Sequence, residues 1–142
     1  MEREAQAPFL DPGVFAALIT RAITACEHGD YKAAIADLTF ALNTAPWNPD
    51  LLYNRGLVLE AAGRREEAIS DYTRALRIAE ADRAELLYRR GRCHLALGRI
   101  EDATCDIKAH LAAGESPYED EIGDLLGIAP YRTAGPSAGA TA

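Results

Sequence analysis

The sequence has little cysteine, almost no lysine, no long apolar run and no excess of positive charge. Cys26, Cys93 and Cys105 are the three cysteines among 142 residues, and no two show a CxxC spacing. This signals neither a disulfide framework nor a zinc site, and reduced thiols are expected. No stretch approaches the ~20 apolar residues of a membrane span. The start, MEREAQAPFLDPG, mixes acids into its charged segment, and the later FAALITRAITA is interrupted by Arg21. Neither resembles a signal peptide, so a cytoplasmic protein is expected. The formal charge of -7 and the pI near 4.9 weigh against nucleic acid, whose phosphates require a positive partner surface. Lys32 and Lys108 stand against thirteen arginines, and alanine is abundant, a usage that suggests a GC-rich, bacterial genome. Gly-rich phosphate loops, HExxH and GxSxG are all missing, so no enzymatic activity and no cofactor are expected.

Repetition is what the chain does have. A segment beginning Gly29-Asp30-Tyr31-Lys32-Ala33-Ala34-Ile35 recurs at Gly63 and again at Gly98, with offsets of 34 and 35 residues. The register holds on both sides of the glycine. Leu18, Leu52 and Leu87 correspond upstream; Ala34, Ala68 and Ala103 correspond downstream, followed by Leu38, Tyr72 and Ile107 and by Leu42, Leu76 and Leu111. Apolar residues recur at three- and four-residue steps throughout, the period of an amphipathic helix, and nothing alternates like a strand. An all-α chain is therefore expected, with helices near 13–28, 31–44, 49–62, 65–80, 83–97, 100–113 and 117–127. Asp11-Pro12, Asn48-Pro49 and Ser116-Pro117 each place a capping side chain before a proline suited to a first helical turn. Asp82 with Glu85 resembles a capping box. Gly29, Gly63 and Gly98 stand where the first helix of each pair must end.

These helix–turn–helix units, with Leu-x-x-[Ala/Gly], a glycine elbow, Ala-Ile and Ala-Leu, resemble the tetratricopeptide repeat family. Three copies cover residues 15–117, as repeats of about 15–48, 49–83 and 84–117. The resemblance implies a right-handed superhelical α-solenoid of about seven helices, whose first helices line a concave groove for a peptide or a partner's helix. One helix pair cannot bury its apolar face alone, so neighbours must stack and the end must be capped. The segment 117–127 fits a cap, with Ile122, Leu125 and Leu126 facing inward. The expected organisation is an extension over 1–12, a repeat domain over 13–128 and a disordered tail over 129–142, which is rich in small residues, Gly and Pro.

Gly56 and Gly91, with Ala22 in the first copy, fall inside helices, where glycine costs about 1 kcal/mol relative to alanine. Close approach of the neighbouring second helix is the expected compensation. Arg21, Arg55 and Arg90 each precede an aspartate by sixteen residues, at Asp37, Asp71 and Asp106. A ladder of Arg–Asp pairs between helices is expected, in preference to a catalytic arrangement repeated three times. With those residues on the packing side, the groove candidates are Ile19, Thr20 and Ile23 in the first copy, Tyr53, Asn54 and Leu57 in the second, and Tyr88, Arg89 and Arg92 in the third. The groove should then grade from apolar to basic and aromatic, suiting a protein or peptide partner with apolar and acidic groups.

Within the family, domains that clamp the C-terminal carboxylates of heat-shock chaperones use two lysines, two asparagines and an arginine. Asn54 and Arg89 fall on two of those positions, but Ile19, Ile23 and Glu85 depart from the pattern, so the chaperone function is not carried over. The expected function is a protein–protein adaptor. One alternative is a self-associating scaffold in which Ile19 and Ile23 hold another copy's cap or tail, forming a homo-oligomer. Another is a redox or metal-linked protein using Cys93, Cys105 and His94, since the two cysteines are nearly equidistant from the elbow at Gly98. His94 and His110 replace Ala or Leu of the earlier copies and should be partly buried near the cap.

Overall fold

The computed structural model describes residues 11–127. They form seven helices: α1 (Pro12–Glu27), α2 (Tyr31–Thr44), α3 (Pro49–Ala61), α4 (Arg65–Ile78), α5 (Arg83–Ala96), α6 (Ile100–Ala112) and α7 (Glu119–Leu126). The expected tail over 129–142 and the first ten residues of the expected extension lie outside the described residues. Successive helices pair as α1/α2, α3/α4 and α5/α6, and the pairs stack through α2/α3, α4/α5 and α1/α3. The described residues are thus an α-solenoid of three helical hairpins followed by a single short helix.

Local chemistry explains the boundaries. Asp11 accepts from the Gly13 N–H at 2.8 Å, and Asn48 accepts from the Asp50 and Leu51 N–H groups at 3.0 and 3.2 Å. Each satisfies N-terminal donors that the helix leaves open. Gly29, Gly63 and Gly98 adopt φ of 77°, 77° and 75°, the left-handed conformation that turns the chain between paired helices. Two expected caps are corrected. Asp82 makes no capping bond and itself takes φ 59°, while Glu85 points sideways to Tyr53 and Arg89. Arg83 instead reaches back to the Leu76 and Ala79 carbonyls and closes the end of α4. Ser116-Pro117 does not start α7 either: the helix begins at Glu119, and Ser116 accepts from the Tyr118 N–H at 3.1 Å.

Helix-interior glycines exist because of what faces them. A Cβ on Gly56 would lie 2.4 Å from Tyr72 Cε1, and one on Gly91 would lie 3.0 Å from Ile107 Cγ1. Tyr72 is fully buried, and its hydroxyl donates to Glu60 at 2.9 Å. The first repeat carries the smaller Leu38 at that place and tolerates Ala22, which is itself buried.

The Arg–Asp ladder is present in all three repeats. Arg21 Nε and Nη2 donate to Asp37 at 2.7 and 2.6 Å, Arg55 to Asp71 at 2.7 and 2.7 Å, and Arg90 to Asp106 at 2.7 and 2.6 Å. Arg55 Nη1 also donates to Thr39 of the preceding repeat at 3.3 Å, and Arg90 Nη1 to Thr73 at 3.2 Å. The fork therefore joins the two helices of its own repeat to the one before. Arg55 and Arg90 are largely covered, whereas the Arg21 side chain is 69 % exposed.

The cap rests on a separate small core. Tyr88, Ile107 and Ile122 are buried together, with Tyr118 and Leu126 against them. The Tyr118 ring stacks on Tyr88 with centroids 4.0 Å apart and planes 2° from parallel. His110, buried, holds the approach to α7: Nδ1 donates to the Ala84 carbonyl at 2.7 Å and Nε2 meets Ser116 Oγ at 2.6 Å. The inward stripe of α7 is narrower than expected. Ile122 and Leu126, one turn apart, take the seat, and Leu125 stays 38 % exposed on the flank.

Two stability predictions follow from these contacts. Gly56→Ala is expected to destabilise the chain by about 1–3 kcal/mol through overpacking against Tyr72, and adding Tyr72→Leu should recover part of the loss because the first repeat uses that combination. Urea unfolding of both single variants and the double variant measures the coupling; purely additive losses would contradict it. Asp71→Ala, which strands a covered guanidinium, should cost about 2–3 kcal/mol. Asp37→Ala, beside an exposed arginine, should leave the urea midpoint nearly unmoved.

Candidate functional site

With the packing side committed, the exposed side of α1, α3 and α5 forms a concave face. Ile23, 45 % exposed, lines a cavity of about 220 Å³ between α1 and α3 together with Asn54 and Leu57. Leu57 also borders a second cavity of about 410 Å³ with Arg65, Arg89, Arg92, Leu95 and Leu125. The two share Leu57 and Ala61 of α3 in their walls. A third cavity, of about 440 Å³, lies beside Tyr53 and Glu85 at the other end of α3 and α5.

The nine sequence candidates do not share one environment. Ile23, Asn54 and Leu57 come together at the first cavity, where Asn54 Nδ2 donates to the Asp50 carbonyl at 2.7 Å. Ile19 is partly buried against the core, and Thr20 is exposed with its hydroxyl donating to the Ala16 carbonyl at 3.0 Å. Tyr53 donates to Glu85 at 3.1 Å, and Arg89 Nε donates to the same carboxylate oxygen at 2.9 Å. Tyr88 is not a groove-facing ring: it is fully buried beneath Tyr118. The reason is the cap, which places an aromatic ring over the repeat position that Tyr53 leaves half open. Arg92 lies between Glu60 and Glu121, at 3.9 and 3.5 Å, and over the Tyr88 ring at 5.8 Å.

The third repeat is therefore less basic than its sequence suggests. Glu85 collects Tyr53 and Arg89, and burial works against its ionised form, yet hydrogen bonds from Arg89, Tyr118 and Tyr53 hold it below the usual carboxylate range. Burial, then the Glu85 charge, pushes the Tyr53 phenol up to about 12. Tyr118, on the cap side of Glu85, is also raised by that carboxylate. Glu85 and Tyr118 at the Tyr53 cluster, and Arg65 and Leu125 in the wall of the second cavity, are not among the sequence candidates. Arg65 carried one signal: it is the first residue of α4, where a cation opposes the helix dipole.

The proposed thiol pair is divided by its surroundings. Cys93 is buried, and burial pushes its thiol up to about 12 despite the nearby Arg65, Arg92 and Arg89; Cys105 is exposed. A thiol held protonated is a poor nucleophile and metal ligand. Among the described residues, no group of three or more His, Cys, Asp or Glu side chains is placed to hold a metal ion. His94 is mostly buried, with Nε2 3.8 Å from Asp106 and no hydrogen-bond partner for Nδ1.

The tetratricopeptide repeat family profile matches residues 19–83 and 61–116. The chain belongs to the tetratricopeptide repeat family. No curated protein sequence matches it. Among solved structures it is similar to the first TPR of Spaghetti (RPAP3) bound to the HSP90 peptide SRMEEVD, at 22 % identity over 84 % of this chain and 96 % of that one, TM-score 0.72. It is also similar to the Sgt2 TPR domain from Aspergillus fumigatus, at 22 % identity over 98 % of each chain, TM-score 0.66. A third similar structure is PcrH in complex with the chaperone binding region of PopD, at 16 % identity over 84 % of this chain and 90 % of that one, TM-score 0.67. At these identities, the shared property is the tetratricopeptide fold.

His94 generates a pH prediction for this tetratricopeptide domain. Burial lowers its pKa; Asp106 and Asp102 resist, and Arg90 and Arg99 add to the lowering. A histidine whose folded pKa lies below the unfolded value of about 6.5 binds fewer protons when folded, so stability falls as the pH drops below about 6.5. His94→Leu, which installs the residue present at position 59, should make stability less pH-dependent between about pH 7 and pH 5. Urea midpoints at both pH values test this, and an unchanged difference between them would exclude His94 as a source.

Proposed function

We propose that this chain is a protein–protein adaptor that binds a short segment of a partner protein along the concave face of α1, α3 and α5. The observation that carries the reading is the pair of neighbouring cavities that share Leu57 and Ala61, one of them lined also by Ile23 and Asn54. Ile23 is exposed and apolar at the edge of one of these cavities, and none of Ile23, Asn54 and Leu57 takes part in the Arg–Asp ladder. A preorganised surface loses little entropy on binding. Family membership supports the reading, because tetratricopeptide folds are protein-binding and generally non-catalytic. So do the relatives in which an HSP90 peptide or a region of PopD is bound. The reading does not extend to a chaperone C-terminus: Glu85 occupies the third-repeat position that the carboxylate clamp gives to lysine, and it already engages Arg89.

The test replaces groove side chains without touching the stack. Ile23→Glu combined with Leu57→Glu should abolish cross-linking of partner proteins in the native cell while helicity and the unfolding midpoint remain close to wild type. Recovery of the same partners by the double variant would refute the groove assignment. Light scattering across a hundredfold concentration range separates the self-associating alternative, for which the mass would rise with concentration and the double variant would stay monomeric.

A further inference from the structure

We propose that the cavity between α3, α5 and α7 is the subsite that selects the partner, accepting an acidic side chain at Arg65 and Arg92 beside an aliphatic one at Leu57, Leu95 and Leu125. This rests on the adaptor reading and specifies the chemistry of the segment bound. Three guanidinium groups, those of Arg65, Arg89 and Arg92, border one open space of about 410 Å³ with the Glu60 carboxylate, and Arg89 is already bonded to Glu85 at 2.9 Å. Arg64, next in sequence to Arg65, is clasped by Glu67 through two bonds of 2.7 Å, whereas Arg65 has no ion-pair partner among the described residues. Arg92 makes no hydrogen bond there either: its nearest carboxylate oxygens stand at 3.5 Å on Glu121 and 3.9 Å on Glu60. The other Glu60 oxygen is already committed to the Tyr72 hydroxyl at 2.9 Å.

The charge pattern then chooses the occupant. An apolar segment laid across this cavity would strip water from guanidinium donors and offer nothing in return, which is costly for charged groups. A lysine or arginine would meet like charge. A carboxylate gives Arg65 and Arg92 charge-assisted hydrogen bonds with planar, forked geometry. The remaining wall is aliphatic, and Leu125, 38 % exposed, stands at its α7 edge with no core contact to fill. A leucine or isoleucine one helical turn from the acid would cover it. Glu121, which approaches Arg92 from α7, is the internal group that such a carboxylate would displace.

Selection from a random twelve-residue peptide display library on the full chain tests both levels. Recovered peptides should be enriched in Asp or Glu three or four residues from Leu or Ile. The tightest of them should bind Arg65→Glu about tenfold more weakly, with a smaller loss for Arg65→Gln. Replacing the peptide's acid by lysine should restore binding to Arg65→Glu. Arg65 is exposed, so circular dichroism and the unfolding midpoint of both variants should match wild type. Peptides recovered without acid enrichment, or bound equally by Arg65→Glu, would overturn the subsite and leave the groove standing. Recovery of no peptide at all would overturn both.

Discussion

The largely covered guanidinium of Arg55 and of Arg90 is the constraint around which the rest is arranged. An arginine placed between helices must find acceptors for a rigid fork of donors, and here one aspartate sixteen residues away supplies two of them. The next donor goes to a threonine of the preceding repeat. One side chain thus fixes the angle within a hairpin and the register between hairpins. Polar complementarity of this sort says more about uniqueness than about net stability, since a desolvated ion pair returns little more than it loses. Apolar burial of Leu38, Leu52, Tyr72 and Ile107 supplies the driving force.

Helical geometry turns that constraint into a surface. Once residues 52, 55, 56 and 59 face inward along α3, residues 53, 54 and 57 are left on the other side. They can change without disturbing the ladder, as the substitution of Arg89 for Asn54 at equivalent positions shows. The concave face is nevertheless not a set of free side chains. Glu85 draws Tyr53, Arg89 and the neighbourhood of Tyr118 into one hydrogen-bonded cluster. The electrostatics of this face therefore depend on which charges are left unpaired, not on how many it contains.

How far the fold was legible follows from repetition. Elbows, interior glycines and Arg–Asp pairs appear in successive copies, so each copy tests the reading of the others, and the structure agrees with all three. Contacts that occur once had no such check. Tyr88 sits at the position of Tyr53 and was read as its equal, but only Tyr88 has Tyr118 stacked upon it. Asp82 and Glu85 have the spacing of a capping box, yet Arg83 satisfies the nearby carbonyls and Glu85 has better partners across the groove. Arg65 lies on a second helix, whereas the repeat pattern assigns the groove to first helices. His110 was expected near the cap, and its ring does hold Ser116 there.

The close fit of Tyr72 over Gly56 has a consequence for how such a chain can be rebuilt. Each hairpin is keyed: Ala22 with Leu38, Gly56 with Tyr72, Gly91 with Ile107. Whole hairpins could be duplicated or exchanged with their keys intact. A swap of second helices alone would set Tyr72 against the methyl group of Ala22. The unit that can be exchanged without a clash is the matched pair of helices, and a cut at the elbow would separate each small residue from the side chain that fills the space above it.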